Sequence, residues 1–116
     1  MNWVKINYSK SNISRAGKQL LEEVLAPGSL LIVDNWRASH AFPLHVITMN
    51  LRRNHPDKTI VVQRLKRLDS IVNKLKRNED MNLARMNDIA GCRVIVDSLP
   101  LLHNIIDTFK NSRIRH

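Results

Sequence analysis

Six side chains between positions 64 and 88 are of the right types, at useful spacings, to handle a polyanion. Arg64 and Lys66 stand two apart in a β-branched context, Thr59-Ile60-Val61-Val62-Gln63-Arg64-Leu65-Lys66. On a strand, that spacing sends both cations the same way. Ser70 and Lys74 are four apart and share one face of the helix that follows, with Arg77 about one turn further on. Cations delivered to a helix N-terminus make an anion site, because free backbone N–H groups and the helix dipole already favour negative charge there. A guanidinium such as Arg64 also stacks on flat rings, while lysines act as point charges on phosphates. The competing reading of the same residues is an amphipathic helix with a lysine-rich wet face.

Asp88 is the only acid between Asp80 and Asp97. A carboxylate at a strand start suits Mg2+, which takes one or two carboxylates together with substrate phosphates. The alternative role is that of a turn or cap residue. His40 and His45 are five apart, a poor spacing for two ligands on one helical face, and no HExxH or Cys/His cluster occurs. Trp36 reads as core, with Arg37 and His40 making structural hydrogen bonds. Neither a glycine-rich phosphate loop nor a GxSxG elbow is present.

The elements that must position these groups follow from periodicity. Residues 1–12 read as a short strand or an arm. Ser14 is a candidate N-cap for a helix buried through Ala16, Leu20, Leu21, Val24 and Leu25, with Pro27-Gly28 as its stop. Ser29 to Asn54 holds a helical stripe through Leu30, Leu31, Val33, Trp36, Ala41, Leu44, Ile47 and Leu51. Pro43 predicts a break near Ala41-Phe42. Asn54 to Asp57 is a turn by composition. Thr59–Lys66 and Ile89–Asp97 are predicted strands, with Gly91 a point of close backbone approach. Asp69 or Ser70 caps the intervening helix, whose buried stripe is Leu68, Ile71, Val72 and Leu75. Met81–Met86 is a helical turn. Ser98-Leu99-Pro100 opens a last helix packed through Leu101, Leu102, Ile105, Ile106 and Phe109. A turn at Asn111-Ser112 leads to what resembles the start of a third strand.

The order helices, strand, helix, strand, helix implies an α/β or α+β layer. At 116 residues the chain is about one domain, with a helical part over about 13–54 and a core over about 58–116. Its net charge of +9 favours a polyanionic partner, whether nucleotide, nucleic acid or anionic surface. The single cysteine, Cys92, cannot close an internal disulfide; it is expected to be a small core hydrophobe in a reducing cytoplasm. No apolar run approaches the roughly 18 residues that span a bilayer.

Taken together, three segments resemble the synthetase domain of the RelA/SpoT family. They are Arg64-x-Lys66-x-x-x-Ser70-Ile71-x-x-Lys74-Leu75, the run Asp88-Ile89-Ala90-Gly91-Cys92-Arg93-Val94-Ile95, and upstream Asn35-Trp36-Arg37-Ala38-Ser39-His40-Ala41-Phe42-Pro43-Leu44. The last is similar to the helix before the core in a branch of small, single-domain members. The resemblance implies a nucleotidyltransferase-like mixed sheet flanked by helices. It also implies transfer of the pyrophosphate of ATP to the ribose 3′-OH of GDP or GTP, making ppGpp and pppGpp. By resemblance Arg64 stacks on adenine, Lys66, Ser70 and Lys74 hold ATP phosphates, and Asp88 binds Mg2+. Arg77 is a supporting cation. Arg93 matches the motif, but on a straight strand it faces away from Asp88, so its role stays open.

Family members continue into a basic loop, a Gly-Tyr-x-Ser-x-His segment and a strand with a second carboxylate, none of which follows here. The expectation is therefore the donor half of a synthetase domain, inactive alone. The same resemblance leaves open a toxin-type activity on tRNA ends, a homo-oligomer or an antitoxin partner. A non-catalytic basic module binding RNA, nucleotide or protein is the rival from outside enzymology.

Overall fold

The computed structural model describes residues 3–22, 27–54 and 59–111. The element order is α1 (Lys10–Gln19), α2 (Pro27–Ser39), α3 (Ala41–Asn54), β1 (Thr59–Leu65), α4 (Leu68–Arg77), a 3-10 turn (Leu83–Arg85), β2 (Ala90–Val96) and α5 (Leu99–Lys110). The two strands pair antiparallel, so the fold is the mixed α+β class that the sequence order implied. Lys66 N–H donates to the Ile89 carbonyl at 2.7 Å just beyond the strand ends. Among the described residues no helix is long and apolar enough to cross a membrane.

The chain divides into two compact units, Met1–Phe42 with Arg64–Gly91, and Pro43–Gln63 with Cys92–His116. The first closes a core around Ile13, Ala16, Leu20, Val33, Trp36, Ile71, Leu75, Leu83, Met86 and Ile89. The stripe of α4 behaves as its spacing requires: Ile71 and Leu75 are buried, and Leu68 and Val72 pack half-buried against the same cluster. Gly17 is where α1 needs a glycine. A Cβ there would stand 2.7 Å from Leu83 Cβ, a distance that side chains do not tolerate. Gly91, expected to permit close approach, does not have that role, since a Cβ at 91 would meet nothing within 4 Å.

Several boundaries differ from the sequence expectation, each for a local reason. α1 starts earlier than Ser14, because the Ser9 hydroxyl accepts from Asn12 N–H at 3.2 Å and caps it. Ser14 lies inside the helix and donates instead to Asn82 Oδ1. Leu21 lies past the helix end and is exposed, while Val24 and Leu25 lie outside the described residues. Pro27 begins α2, as suits a residue with no N–H to satisfy in a first turn. Leu30 and Leu31 of that helix point to solvent, and the burial falls on Val33 and Trp36.

The expected break comes at His40, between α2 and α3, with Pro43 in the first turn of α3. Residues 3–9 are an arm rather than a strand. The Asn35 amide clasps it, accepting from Asn7 N–H at 3.0 Å and donating to the Lys5 carbonyl at 2.9 Å. Neither Asp69 nor Ser70 caps α4; Arg67 holds the N-cap position without a side-chain bond. The turn expected at Asn54–Asp57 and the third strand expected after Ser112 lie outside the described residues, save for Asn54, which ends α3.

The second unit is built on less burial. Leu44 and Leu51 of α3 and Ile105 of α5 are buried, and the Thr48 hydroxyl donates to Cys92 Sγ at 3.6 Å. Cys92 is half-buried, not a fully enclosed core residue. Ser98 caps α5, accepting from Leu101 N–H at 3.3 Å, with Pro100 in the first turn as predicted. Of the apolar stripe predicted for α5, only Ile105 is buried; Leu102 and Ile106 are exposed. The strand ends and the Lys66–Ile89 bond set a register with Ile60 opposite Ile95, and both, with Val62, are exposed.

Candidate functional site

Lys66 is the first residue past β1, and its backbone is fixed from two directions. Its N–H is bonded to the Ile89 carbonyl, and its own carbonyl accepts from Arg37 Nε at 2.7 Å. Arg37 comes from α2, so the helical part of this unit holds the strand end in place. His40 bonds the Trp36 carbonyl through Nδ1 at 2.7 Å, and its ring meets the Trp36 ring edge-on, with centroids 4.6 Å apart. Trp36 is part of the core, so the arginine is carried on a helix whose facing side is packed.

Pinned in this way, the Lys66 side chain is only 10% exposed, an unusual state for an ammonium without a partner. The partner is Asp88, whose Oδ2 accepts from Lys66 Nζ at 3.0 Å. Lys74, from the second half of α4, brings Nζ to 2.9 Å from the other carboxylate oxygen, Oδ1. That contact has ion-pair distance without hydrogen-bond geometry, so Oδ1 is a buried acceptor that receives no hydrogen bond. Two cations and one carboxylate thus meet within one unit, with a net charge of one positive.

The electrostatics follow from this geometry. Burial pushes the Asp88 carboxyl up, but the ammonium groups of Lys74 and Lys66 favour the ionised form and prevail. Its pKa therefore lies below its ordinary value of 3.8. Asp88 is in the turn before β2, as its bland reading supposed, yet it does more than close a turn.

The other candidates do not join this cluster. Arg64 is exposed on β1, and its side chain has no hydrogen-bond or ion-pair partner among the described residues. Lys66 stands one residue past the strand end and is buried, where Arg64 is exposed. Ser70 is half-buried in the first turn of α4, and its N–H is taken by Asp69 Oδ1 at 2.9 Å. The helix start is therefore partly occupied by its own acid, which also lies 3.8 Å from Arg67 Nε. Arg77 is exposed and bonds back to the Asn73 carbonyl at 3.4 Å. Arg93 is exposed on β2 in the second unit. Among the described residues no group of three or more His, Cys, Asp or Glu side chains could hold a metal.

Sequence reasoning gave Arg37 only a generic structural role. Its bond to the Lys66 carbonyl spans 29 positions, and no local pattern encodes that. The one available signal was its place in the upstream segment Asn35–Leu44.

No curated protein matches the chain at a significant level. A family model described as a region found in RelA / SpoT proteins matches residues 63–114, a span that takes in Lys66, Lys74 and Asp88 but not Arg37. Over that span the chain is similar to the RelA / SpoT region.

Proposed function

We propose that this chain binds the polyphosphate of ATP together with Mg2+, as the donor side of a RelA/SpoT-type pyrophosphokinase. In that reaction the ribose 3′-OH of GDP or GTP attacks the β-phosphorus of ATP. The bond from the α–β bridging oxygen to the β-phosphorus breaks, the hydroxyl proton passes to solvent, and AMP leaves. Transfer of this kind asks a protein mainly for positioning and for neutralisation of phosphate charge. The observation that carries the reading is the convergence of Lys66 and Lys74 on one carboxylate. Two ammonium groups spaced to meet two oxygens of one anion can meet two oxygens of a phosphate chain.

In this reading Lys66 and Lys74 hold phosphate oxygens. Lys66 is the more rigid of the two, because Ile89 and Arg37 fix its backbone. The Ser70 hydroxyl, one turn before Lys74 on α4, supplies a further donor. Arg64, exposed and without a partner among the described residues, is free to lie on the adenine face. Asp88 would hold a hard cation through the carboxylate oxygen that Lys74 gives up when it turns to phosphate. One carboxylate is enough where phosphates and water complete the shell of a Mg2+ that arrives with its nucleotide. When bound, the cation adds neutralisation of charge on the phosphate oxygens.

Calorimetric titration of Mg·ATP tests this. Lys66→Met is expected to weaken binding by about tenfold or more, the loss that goes with one charge-assisted hydrogen bond. Unchanged affinity in a folded Lys66→Met variant would remove the proposed site.

A further inference from the structure

Apart from Lys66 and Lys74, the first unit holds a second place where hydrogen-bond donors gather. A cavity of about 460 Å³ opens between the start of α1 and the 3-10 turn, lined by Lys10, Ser11, Ser14, Asn82, Ala84 and Arg85. All six lie in the first unit, and none belongs to the ion-paired cluster. We propose that this cavity binds a phosphate dianion, free or as the end group of a small molecule. The site is separate from the one assigned above to ATP and does not depend on that reading.

Asn82 is the fixed point of this set. Its Oδ1 accepts from the Ser14 hydroxyl and from the Ala84 N–H, the latter at 3.0 Å, so two elements hold the amide. Both acceptor positions of that oxygen are used, and Nδ2 keeps two N–H donors with no partner among the described residues. The elements themselves are packed: Ile13 and Leu83 are each 1% exposed, and Gly17 lets α1 come against Leu83. Lys10 and Arg85 add two cations, and unlike Lys66 and Lys74 they have no carboxylate partner among the described residues. No Asp or Glu lines the cavity. Phosphate oxygens only accept, and a dianion balances the two cations. The guanidinium of Arg85 can meet two of those oxygens at once. The volume falls within the roughly 300–1,000 Å³ of small-molecule sites, so there is room for a small body behind the phosphate.

Heteronuclear NMR of the full 116-residue chain, titrated with inorganic phosphate and separately with glycerol 3-phosphate, reads the site directly. Saturable shifts are expected at the Asn82 side-chain amide and at Arg85 Nε–H, and they should persist in a folded Lys66→Met variant. Arg85→Met is expected to weaken binding about tenfold, the loss of one charge-assisted contact. Asn82→Asp keeps the acceptor for Ser14 and Ala84 but replaces the free donors with negative charge, and should abolish the response. Lys76→Met removes an exposed cation outside the cavity, so its effect, less than about twofold, measures the general loss of one charge. If Asn82→Asp fails to fold, the contrast between Arg85→Met and Lys76→Met carries the test.

Tighter binding of glycerol 3-phosphate than of phosphate would assign the site to a phosphorylated small molecule, and equal binding to free phosphate; the site stands in both cases. Absence of saturable shifts at Asn82 and Arg85 would overturn the proposal. So would equal losses from Arg85→Met and Lys76→Met, or binding that survives Asn82→Asp. Shifts that vanish in Lys66→Met would place the anion at the lysine pair instead and leave the cavity without a ligand role.

Discussion

The two units of this chain differ in how much of their structure they hold by burial. In the unit of residues 3–42 and 64–91, α1, α2, α4 and the 3-10 turn enclose a contiguous core from Ile13 to Ile89. In the unit of residues 43–63 and 92–111, Leu44, Leu51 and Ile105 are buried, while Ile60, Val62, Ile95, Leu99, Leu102 and Ile106 remain exposed. The ion-paired cluster lies wholly within the first. A site that depends on the relative position of three charged groups gains from such a setting, because packed surroundings fix the elements that carry them. The strand segments of the second unit leave Ile60, Val62 and Ile95 exposed beside Arg93, a half-apolar surface that invites association.

Substitutions can break or sharpen this contrast. The largest effect is expected at Ile71, fully buried in the first unit. Ile71→Ala should cost about 2–5 kcal/mol in urea denaturation, enough to unfold much of the population of a small domain. Gly17→Ala should cost about 1–3 kcal/mol, because the new methyl meets Leu83 Cβ and one of two helices must shift. Asp88→Asn should also cost about 1–3 kcal/mol, since it leaves the nearly buried Lys66 ammonium without its anion.

The pH dependence gives that last effect a sign. The Asp88 carboxyl titrates lower in the folded chain than in the unfolded one. The stability it contributes is therefore fully present above its ordinary value near 3.8 and is lost as pH falls through the lower folded value. Urea midpoints on the acid side should fall less steeply for Asp88→Asn than for the unaltered chain. The smallest effect is expected at Ile60→Lys and Val62→Lys. Each should change stability by no more than about 0.5 kcal/mol while reducing association in analytical ultracentrifugation. A large destabilisation at either position would show that the face is covered after all.

What could be read in the sequence follows the same division between local and distant. The buried stripe of α4, the start of α5 at Ser98-Leu99-Pro100 and the break before Pro43 all rest on residues within one or two turns of each other. Each appears where its spacing placed it, the break one residue early. The first helix was misplaced because Ser9 and Ser14 are equally good caps in isolation. Only the Asn82 side chain, 68 positions away, gives Ser14 another partner.

The same holds at the site. Residue types and spacing put Lys66, Lys74 and Asp88 among the candidates, with Arg64, Ser70, Arg77 and Arg93, but did not show that these three meet one another in the absence of any ligand. The Arg37 bond to the Lys66 carbonyl and the contact of Gly17 with Leu83 were equally silent, because both depend on elements brought together by the core. Arg64 and Lys66, two apart, differ in burial: Arg64 is exposed on β1, and Lys66 is buried just past its end, where Ile89 and Arg37 bond its backbone.

The central claim is that position, and not positive charge in general, makes Lys66 and Lys74 ligands for a phosphate chain. Lys74 and Lys76 allow a direct test, since both lie in the last turn of α4 and carry the same charge, but Lys76 is exposed and outside the cluster. Calorimetric titration of Mg·ATP into Lys74→Met and Lys76→Met is the measurement. Lys74→Met is expected to lose about tenfold in affinity and Lys76→Met less than about twofold. Equal losses from the two substitutions would mean that the chain attracts ATP through its overall charge alone, and would contradict the account.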